Sequence, residues 1–568
     1  MPMSLQSPLE SVDLLLDIAS LLDKNSVLAC SRVCRSWHAL FAPFLWHKIT
    51  LFRYNSASPY PSPPSLQSRD DGMFSSRRPY WQQSRHQKQQ QQQQQPGRRY
   101  PTLVQIQTNA HHIRKLRYLG GEYPFLQYIL PFCTQLRHLE VTVYSDDVKQ
   151  LLQQNSSTLE TFICRSDPLT RQTQDPVVLD KVFYLLSEMP NLRVLELDAV
   201  IVSDYEGQLF GRVCQRLTHL SLIESKLIER PKFSSSEAEA QGFANLRSLV
   251  LDRSYLPNDH QLQTFQACPV IEHLTWKSRT GKLPIMNFLF ILSSGRFHSV
   301  SSLDLSDASA MSDLDFSSVL KYAPQLTCMN AKGTLFGREA TKVLLEHHHR
   351  PLLKRLNTLD CPNFTALEAQ DVLEHCEQLQ VFYGPAVSAV EMGRIRWRCL
   401  QLRELDICIT EIDQLPLRTT HHRHQEIYQQ LAALTQLRVL RLGDPGRPSF
   451  TPPSSNPQRR PSTNRDFKMH PPPPAIPVSS MLDLTLDSGF GVLSTLTRLQ
   501  ELDCEKMQAR MEFMELQWIV QTWRRLERVV GCVHPNQAQR NLSHEFLRDI
   551  VPGLQVYQTR MEIWMAEL

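Results

Sequence analysis

The feature that most constrains this chain of 568 residues is a short apolar pattern that recurs over most of its length. An apolar residue at a reference position is followed by apolar residues three and five positions later, as at Leu192, Leu195 and Leu197. Units this short cannot bury an apolar face alone, so they must stack to enclose a core. Clear copies begin at Leu136, Leu192, Leu217, Leu246, Val300, Leu402, Leu437 and Leu499, a less regular one at Leu526, and weaker ones at Ile113, Leu159, Ile271, Leu326, Leu356 and Leu379.

A further apolar residue stands three positions before most reference positions, and Ser156 interrupts that series. Upstream of it the apolar spacing is helical, as in residues 179–189 and 514–523. Each unit is therefore predicted to be a helix, a turn and a short strand, which gives an α/β solenoid with a parallel sheet on the concave face and helices outside. Five of the thirteen cysteines hold the preceding position, where we expect buried packing: Cys133, Cys214, Cys268, Cys376 and Cys399.

The first residues of the chain have a different character. Residues 11–46 contain three short apolar helical runs, with Ser26 a candidate N-cap of the second run. A segment of about 40 residues rarely folds stably without a staple or a partner, and no disulfide or metal pattern is present. The surplus apolar surface predicts docking onto another protein.

At these residues the chain resembles the F-box, and behind it the cysteine-containing leucine-rich repeats of F-box proteins, fungal members among them. The matching landmarks are residues 13–18, the Leu22-Asp23 pair, residues 33–37 and the closing Leu45-Trp46. The family usually opens with Leu-Pro, where this chain has Glu10-Ser11. The resemblance implies that the segment binds the Skp-type adaptor of a cullin–RING ubiquitin ligase, through Leu14, Leu15, Ile18, Leu22, Leu28, Val33, Trp37 and Leu40. Sequence alone does not separate contact residues from core residues in that set.

Composition divides the chain further. Residues 53–100 carry eight Lys or Arg against two Asp and include seven consecutive Gln, and residues 444–480 are rich in proline. Such tracts cannot offset the entropy of ordering. We therefore predict an F-box at 1–52, a disordered linker at 53–100 and a repeat array at 101–568 with a disordered insertion at about 444–480. No apolar run is long enough for a membrane helix, and the cysteine usage is typical of a reducing compartment, the cytoplasm or nucleus.

A search for catalytic and metal-binding patterns supports no enzyme class. No phosphate-binding loop, dinucleotide fingerprint, HExxH or nucleophile elbow is present, and we expect neither cofactor nor metal. The histidine clusters at 347–349 and 421–424 are read as solvated loop residues rather than zinc ligands, and Cys30 and Cys34 as core residues. The arginines and aromatics of the linker leave single-stranded nucleic acid as a lesser alternative.

Four residues after each reference position a side chain is expected to project from the concave face. Acids outnumber bases there, which favours a protein substrate with a basic segment. The predicted function is the substrate receptor of an SCF-type ubiquitin ligase; the alternatives are a repeat scaffold without a ligase role and a nucleic-acid-associated regulator. The acids expected on the concave face are Glu140, Glu196, Asp304, Asp360, Asp406 and Asp503.

Overall fold

The apolar repeat pattern produces a mixed α/β architecture built on parallel strands. The structure is a computed structural model. Two compact units are distinguished: residues 1–171 with 184–192, and residues 172–183 with 193–568. The described residues are 12–52, 107–119, 129–142, 144–166, 177–202, 207–227, 242–256, 258–277, 284–295, 297–346, 349–412, 417–443, 482–505, 511–531, 537–551, 553–557, 559 and 562–563.

The first unit begins with three helices, and the chain then enters a parallel sheet. Residues 53–106, which include the predicted linker, lie outside the described residues. The elements are α1 (Val12–Leu21), α2 (Lys24–Cys30), α3 (Arg35–Trp46), β1 (Lys48–Phe52), β2 (Lys115–Leu119), β3 (His138–Val141), α4 (Asp146–Gln154) and β4 (Thr161–Arg165), with 3-10 turns at Ala110–His112 and Leu130–Phe132.

Strands and helices alternate through the rest of the chain. The predicted insertion at 444–480 is outside the described residues. The elements are β5 (Val177–Leu179), α5 (Val182–Ser187), β6 (Val194–Asp198), β7 (Val200–Val202), α6 (Gly207–Cys214), β8 (His219–Ile223), β9 (Lys226–Leu227), β10 (Ser248–Asp252), α7 (Asn258–Gln266), β11 (His273–Lys277), α8 (Ile285–Ser293), β12 (Ser302–Asp304), α9 (Asp313–Tyr322), β13 (Cys328–Asn330), α10 (Arg338–Glu346), β14 (Arg355–Asn357), α11 (Ala366–His375), β15 (Val381–Ser388), α12 (Ala389–Met392), β16 (Glu404–Thr410), α13 (Leu417–Ala432), β17 (Val439–Leu442), β18 (Glu501–Asp503), α14 (Phe513–Thr522), β19 (Arg528–Val530), α15 (Gln537–Ile550) and β20 (Gln555–Tyr557), with a 3-10 turn at Phe490–Thr495.

Neighbouring strands are parallel in every pairing of the described residues. In the first unit β1 pairs with β2, β2 with β3 and β3 with β4. In the second unit β6, β8 and β10 to β20 pair in that order, and β5, β7 and β9 form a separate small sheet. Where a helix lies between two paired strands, as α7 does between β10 and β11, it supplies the crossover that parallel pairing requires. This arrangement is consistent with a solenoid.

The register of these strands aligns the apolar residue three positions after each reference. In the second unit this column is at most 4% exposed, so each leucine removed from water contributes roughly 1.5–3 kcal/mol. Its members are Leu195, Leu220, Leu249, Leu274, Leu303, Met329, Leu356, Phe382, Leu405, Leu440, Leu502, Val529 and Val556.

One predicted repeat was wrong by three residues. Leu356 was taken as a reference position, yet it pairs with Met329 and Phe382 and so belongs to the column itself. The reference position of that unit is Leu353, which is fully buried. The error arose from an insertion of one residue just before Leu353. As a result, the buried residue that precedes Leu353 lies four positions upstream instead of three. That residue is His349, whose carbonyl oxygen accepts the Leu353 N–H.

Candidate functional site

The three N-terminal helices fold around a small core of their own. Leu15, Ala19, Val27 and Phe41 are each at most 3% exposed. Trp37 stacks on Phe41 with ring centroids 5.5 Å apart. A core of this size leaves much of the apolar surface of the segment outside it. Residues packed partly against the core are Leu22, Cys30, Trp37, Leu40, Phe44 and Leu45.

The structure divides the residues that the sequence proposed for adaptor binding. Leu15 lies in the core, and four others, Ile18, Leu22, Trp37 and Leu40, are half-buried. Leu28 and Val33 are 39% and 64% exposed, which leaves them free to contact a partner. The side chain of Leu14 lies outside the described residues.

Three more exposed apolar residues of α1 were missing from that prediction. Val12 is 50% exposed, Leu16 37% and Leu21 86%. We call Val12, Leu16, Leu21, Leu28 and Val33 the exposed apolar set. Large aliphatic side chains this exposed in so short a segment are typical of a surface that a partner covers. The available signal was helical spacing: Leu15, Ala19 and Leu22, the last just beyond the end of α1, follow one stripe, and Leu21 lies away from it.

Local interactions fix the shape of this segment and correct two predictions. Ser26 is not the N-cap of α2: the helix begins earlier, and the Asp23 carboxylate accepts the Ser26 N–H at 2.8 Å. Cys30 packs against the core as expected, whereas Cys34 is exposed at the start of α3. A hydrogen bond with the Ser36 hydroxyl lowers the pKa of the Cys34 thiol. Cys34 is exposed because the chain turns into α3 at this residue.

The helical segment passes into the sheet without a break. The carbonyl oxygen of His47 accepts the N–H groups of Arg114 and Lys115 at 3.0 and 2.9 Å. The Arg114 carbonyl oxygen accepts the N–H groups of Arg137 and His138 in the same way. Helix α3 and strand β1 therefore make the same connection to β2 as β2 makes to β3. The first strand of the sheet lies within the segment predicted as the F-box, and β1 and β2, on either side of residues 53–106, pair with each other.

The proposed acidic residues are less exposed than the sequence suggested. Glu140 is 9% exposed, Asp406 4% and Asp503 1%. Asp360 is not on a strand: it follows β14 in a left-handed conformation, and Asn357 takes the expected place beside Tyr383. Glu196, Asp304 and Asp360 are half-buried.

Cations on adjacent strands neutralise several of these acids. In the first unit, Glu140 lies 3.1 Å from Arg117 and 3.5 Å from Arg165. In the second unit, Lys277 lies 3.4 Å from Asp304. Burial alone would lower the pKa of Lys277, but Asp304 and Asp252 outweigh it and the pKa is raised. Arg117 and Glu140 are register partners on adjacent parallel strands, about 4.8 Å apart, which brings this pair together.

A charged network that sequence reasoning missed occupies the second unit near β15 to β19. The Tyr383 hydroxyl donates a hydrogen bond to Glu404. Burial is the larger cause, and this hydrogen bond the second, that raises the pKa of Tyr383 to about 12. Glu501, 2% exposed, lies 2.7 Å from Arg441 and 2.9 Å from Arg528. Glu404, Glu501 and Arg528 stand two positions after their reference residues, a strand position outside the predicted apolar and acidic pattern.

The five cysteines that stand three positions before a reference residue are buried, as predicted. All five are at most 1% exposed. Burial raises the pKa of Cys133, Cys376 and Cys399 to about 12, so these thiols are poor nucleophiles at neutral pH. Packing is therefore their role.

The interruption of this series at Ser156 has a structural cause. Asn155 takes the buried position instead, with no exposed surface. Its Oδ1 accepts the Leu136 N–H at 2.7 Å, and its Nδ2 donates to the carbonyl oxygens of Cys133 and Leu151 at 2.7 and 2.9 Å. An asparagine thus joins two repeats where an apolar residue was expected.

The histidine clusters differ from the predicted solvated loops. His349 is 1% exposed and its Nε2 donates to the Leu320 carbonyl oxygen at 2.8 Å. His422 and His424 lie within α13, and His424 accepts the Asp483 N–H at 3.1 Å. His347, His348 and the side chain of His421 lie outside the described residues. Within the described ranges no three His, Cys, Asp or Glu side chains are grouped as metal ligands.

Together these features define a repeat protein with a long parallel sheet, preceded by a helical segment that keeps apolar residues exposed. Residues 12–51 match the profile of the F-box-like family. Comparison with curated proteins finds no match. Among solved structures, the chain is similar to a chain in the crystal structure of the Rad7 and Elc1 complex in yeast, at 14% identity and a TM-score of 0.33, over 46% of this chain and 68% of that one. A TM-score this low does not establish a common fold. In the part of the chain that is described, no helix has the length and apolar character to cross a membrane.

Proposed function

We propose that this protein is the substrate-recognition subunit of an SCF-type ubiquitin ligase. The observation that carries the proposal is the exposed apolar set within the F-box-like segment. Val12, Leu16, Leu21, Leu28 and Val33 stay 37–86% exposed although the segment has its own core. A Skp-type adaptor would cover them and connect the chain to a cullin–RING ligase. This role places the protein in the cytoplasm or nucleus.

The repeats would hold the substrate, and we interpret them as degenerate leucine-rich repeats in a horseshoe. The continuous pairing of β1 with β2 supports a fixed geometry in the first unit, since no tether separates the adaptor-binding helices from the first strands. The chain itself would perform no bond chemistry and need no cofactor. Its contribution would be to raise the effective concentration of substrate lysines near a charged enzyme on another subunit.

We still propose that acidic residues of the strands contact a basic substrate segment, although fewer of them are exposed than the sequence suggested. Glu196 is half-buried on β6, with His219 of the adjacent strand 3.7 Å away, and it is one of the acids that we include in this proposal. Asp406 and Asp503 would act through the network around them.

Affinity purification with paired variants tests the proposal. Leu21→Asp with Val33→Asp should remove the adaptor and cullin from the purified complex, while partners held by the repeats remain. Leu367→Asp with Leu542→Asp is the matched control, because these leucines are 60% and 65% exposed on outer helices of the second unit. Proteasome inhibition should raise the level of retained partners. Two results together would favour a scaffold without a ligase role. The partners would keep the same level under inhibition, and the Leu21→Asp with Val33→Asp variant would retain the adaptor.

A further inference from the structure

The register of the first three strands collects positive charge at one place. Lys48 pairs with Lys115, and Lys115 pairs with His138. The residue before each of these is also basic. We call Lys48, Arg114, Lys115 and Arg137, with the imidazoles of His47 and His138 beside them, the cation cluster. It lies on the sheet face and edge where the strands of the first unit begin, outside the exposed apolar set.

The charged groups of this cluster lie close enough to act on one another. Burial lowers the pKa of His47, and the nearby Lys115, Arg114 and Arg137 lower it further. Burial also lowers the pKa of Arg114, with Arg137 adding to the effect. Like charges directly opposite each other across two strands destabilise a sheet. The fold therefore carries an electrostatic cost here that an anionic partner would offset.

Within the described residues, little opposes this charge. No carboxylate among them lies within ion-pair distance of Lys48 or Lys115, which are both exposed. Arg137 has Glu160 at 3.5 Å, with side chains 63% and 48% exposed, and such a surface pair is worth about 1 kcal/mol or less. Arg114 is held in place, because its Nη1 donates to the His111 carbonyl oxygen at 3.0 Å. The cluster combines a guanidinium held by a hydrogen bond with exposed charges around it.

We propose that the cation cluster binds an acidic segment of a partner protein, an extended stretch with several Asp or Glu side chains. Its charges are spread over three strands, about 10 Å in all at about 4.8 Å per strand. An extended peptide presents side chains of one face every second residue, about 6.6–7 Å apart, so successive carboxylates reach different strands. A single phosphate is best held by guanidinium groups that converge on one point, which this spread of charges does not provide. Complementary charge of this kind speeds encounter and sets partner choice.

The size and composition of the cluster favour a peptide over nucleic acid. The cation cluster has two residues at the start of each of three strands, so it is too short to contact a polynucleotide backbone along its length. The aromatic residue of β2, Tyr118, is 5% exposed and so is not available to stack on a base. The proposal does not depend on adaptor docking, so either can fail without the other.

Fluorescence polarisation on the full chain tests this site. The probe is a labelled 12-residue peptide of alternating Glu and Ser, compared with its Gln counterpart, a peptide of equal length with one phosphoserine, and a short single-stranded DNA. Wild type should bind the Glu peptide, with affinity falling steeply as salt rises, and should not bind the Gln peptide. Lys48→Glu with Lys115→Glu should weaken binding at least tenfold. Lys321→Glu with Lys342→Glu makes the same charge change on the outer helices α9 and α10 and should change it less than twofold.

A second measurement separates binding from folding. Lys48→Glu alone creates an opposite-charge pair with Lys115, so it should raise the melting temperature while it weakens peptide binding. Equal binding by wild type and the double variant overturns the proposal. Tighter binding of the phosphoserine peptide, or of the DNA, than of the Glu peptide also overturns it.

Discussion

The carbonyl oxygen of His47 accepts the backbone N–H of Lys115 at 2.9 Å, although the two residues are far apart in the chain. Residues 53–114 thus form one connection between β1 and β2, whereas the much shorter stretch 120–137 connects β2 to β3. The same hydrogen-bonding pattern joins both pairs of strands, so the longer connection contains extra chain that the sheet does not require. We therefore interpret the segment rich in Gln and Arg as an insertion in a repeat.

Deletion of residues 57–100 tests this interpretation, because it makes the connection between β1 and β2 as long as the one between β2 and β3. The shorter loop should raise the free energy of unfolding by about 1 kcal/mol through loop-closure entropy, with adaptor binding unchanged. Chemical denaturation measures the first quantity and calorimetric titration the second. A glycine–serine replacement of equal length serves as the control and should match wild type. Loss of adaptor binding in the deletion variant would mean that the segment is a required tether.

Asn155 provides a test of how the degenerate repeats are joined. Asn155→Ala should lower the free energy of unfolding by roughly 2–4 kcal/mol, since it leaves the buried Leu136 N–H and the Cys133 carbonyl oxygen without their partner. Ser157→Ala, two residues away and exposed, should change it by less than about 0.5 kcal/mol. Urea denaturation measures both. Equal effects of the two substitutions would contradict a joining role for Asn155.

Thiol labelling tests the burial of the cysteine positions. In native protein at pH 8, iodoacetamide should modify Cys34 first among the cysteines that the structure describes, because it is exposed and its pKa is lowered by the Ser36 hydrogen bond. Cys133, Cys376 and Cys399 should be protected, since burial raises the pKa of each to about 12. Mass spectrometry of digests locates the label, and Cys34→Ser gives the background. Modification of Cys133 as fast as Cys34 in native protein would show that the packing is wrong.

Stability should fall as the pH drops below about 6.5. Burial lowers the pKa of His219 and of His544 below that ordinary value, and Arg548 and Arg540 add to the effect at His544. Below pH 6.5 the unfolded chain therefore binds more protons than the folded chain, so the free energy of unfolding decreases until the pH passes the lowered pKa values. Denaturant midpoints between pH 7.5 and 5.5 measure this. His544→Gln should flatten the slope, and a slope unchanged by that substitution would exclude His544 as a contributor.

The sequence predicted the repeating strand and helix well because apolar periodicity is a local property of the chain. It placed Leu195, Leu220 and Leu249 in the core, and the structure confirms them. It misplaced the repeat at Leu356 because an insertion of one residue before the strand leaves no local mark. Asn155 and His349 were unpredictable for a related reason. A polar residue at a buried, usually apolar position can be explained only when its hydrogen-bond partners are known.

The candidate site was less predictable for a physical reason. Exposure in the helical segment depends on how α1, α2 and α3 pack, so sequence did not separate the buried Leu15 from the exposed Leu28 and Val33. The neutralisation of Glu140 and Asp304 depends on cross-strand register, which brings together residues more than twenty positions apart.

Binding of a purified Skp-type adaptor to the full chain, measured by isothermal titration calorimetry, tests the central claim most directly. Wild type should bind, and Leu21→Asp with Val33→Asp should weaken binding at least a hundredfold, since two apolar contacts are worth roughly 1.5–3 kcal/mol each. The melting temperature should stay the same, because neither residue lies in the core. Undiminished binding by a folded double variant would contradict the claim that the exposed apolar set receives the adaptor.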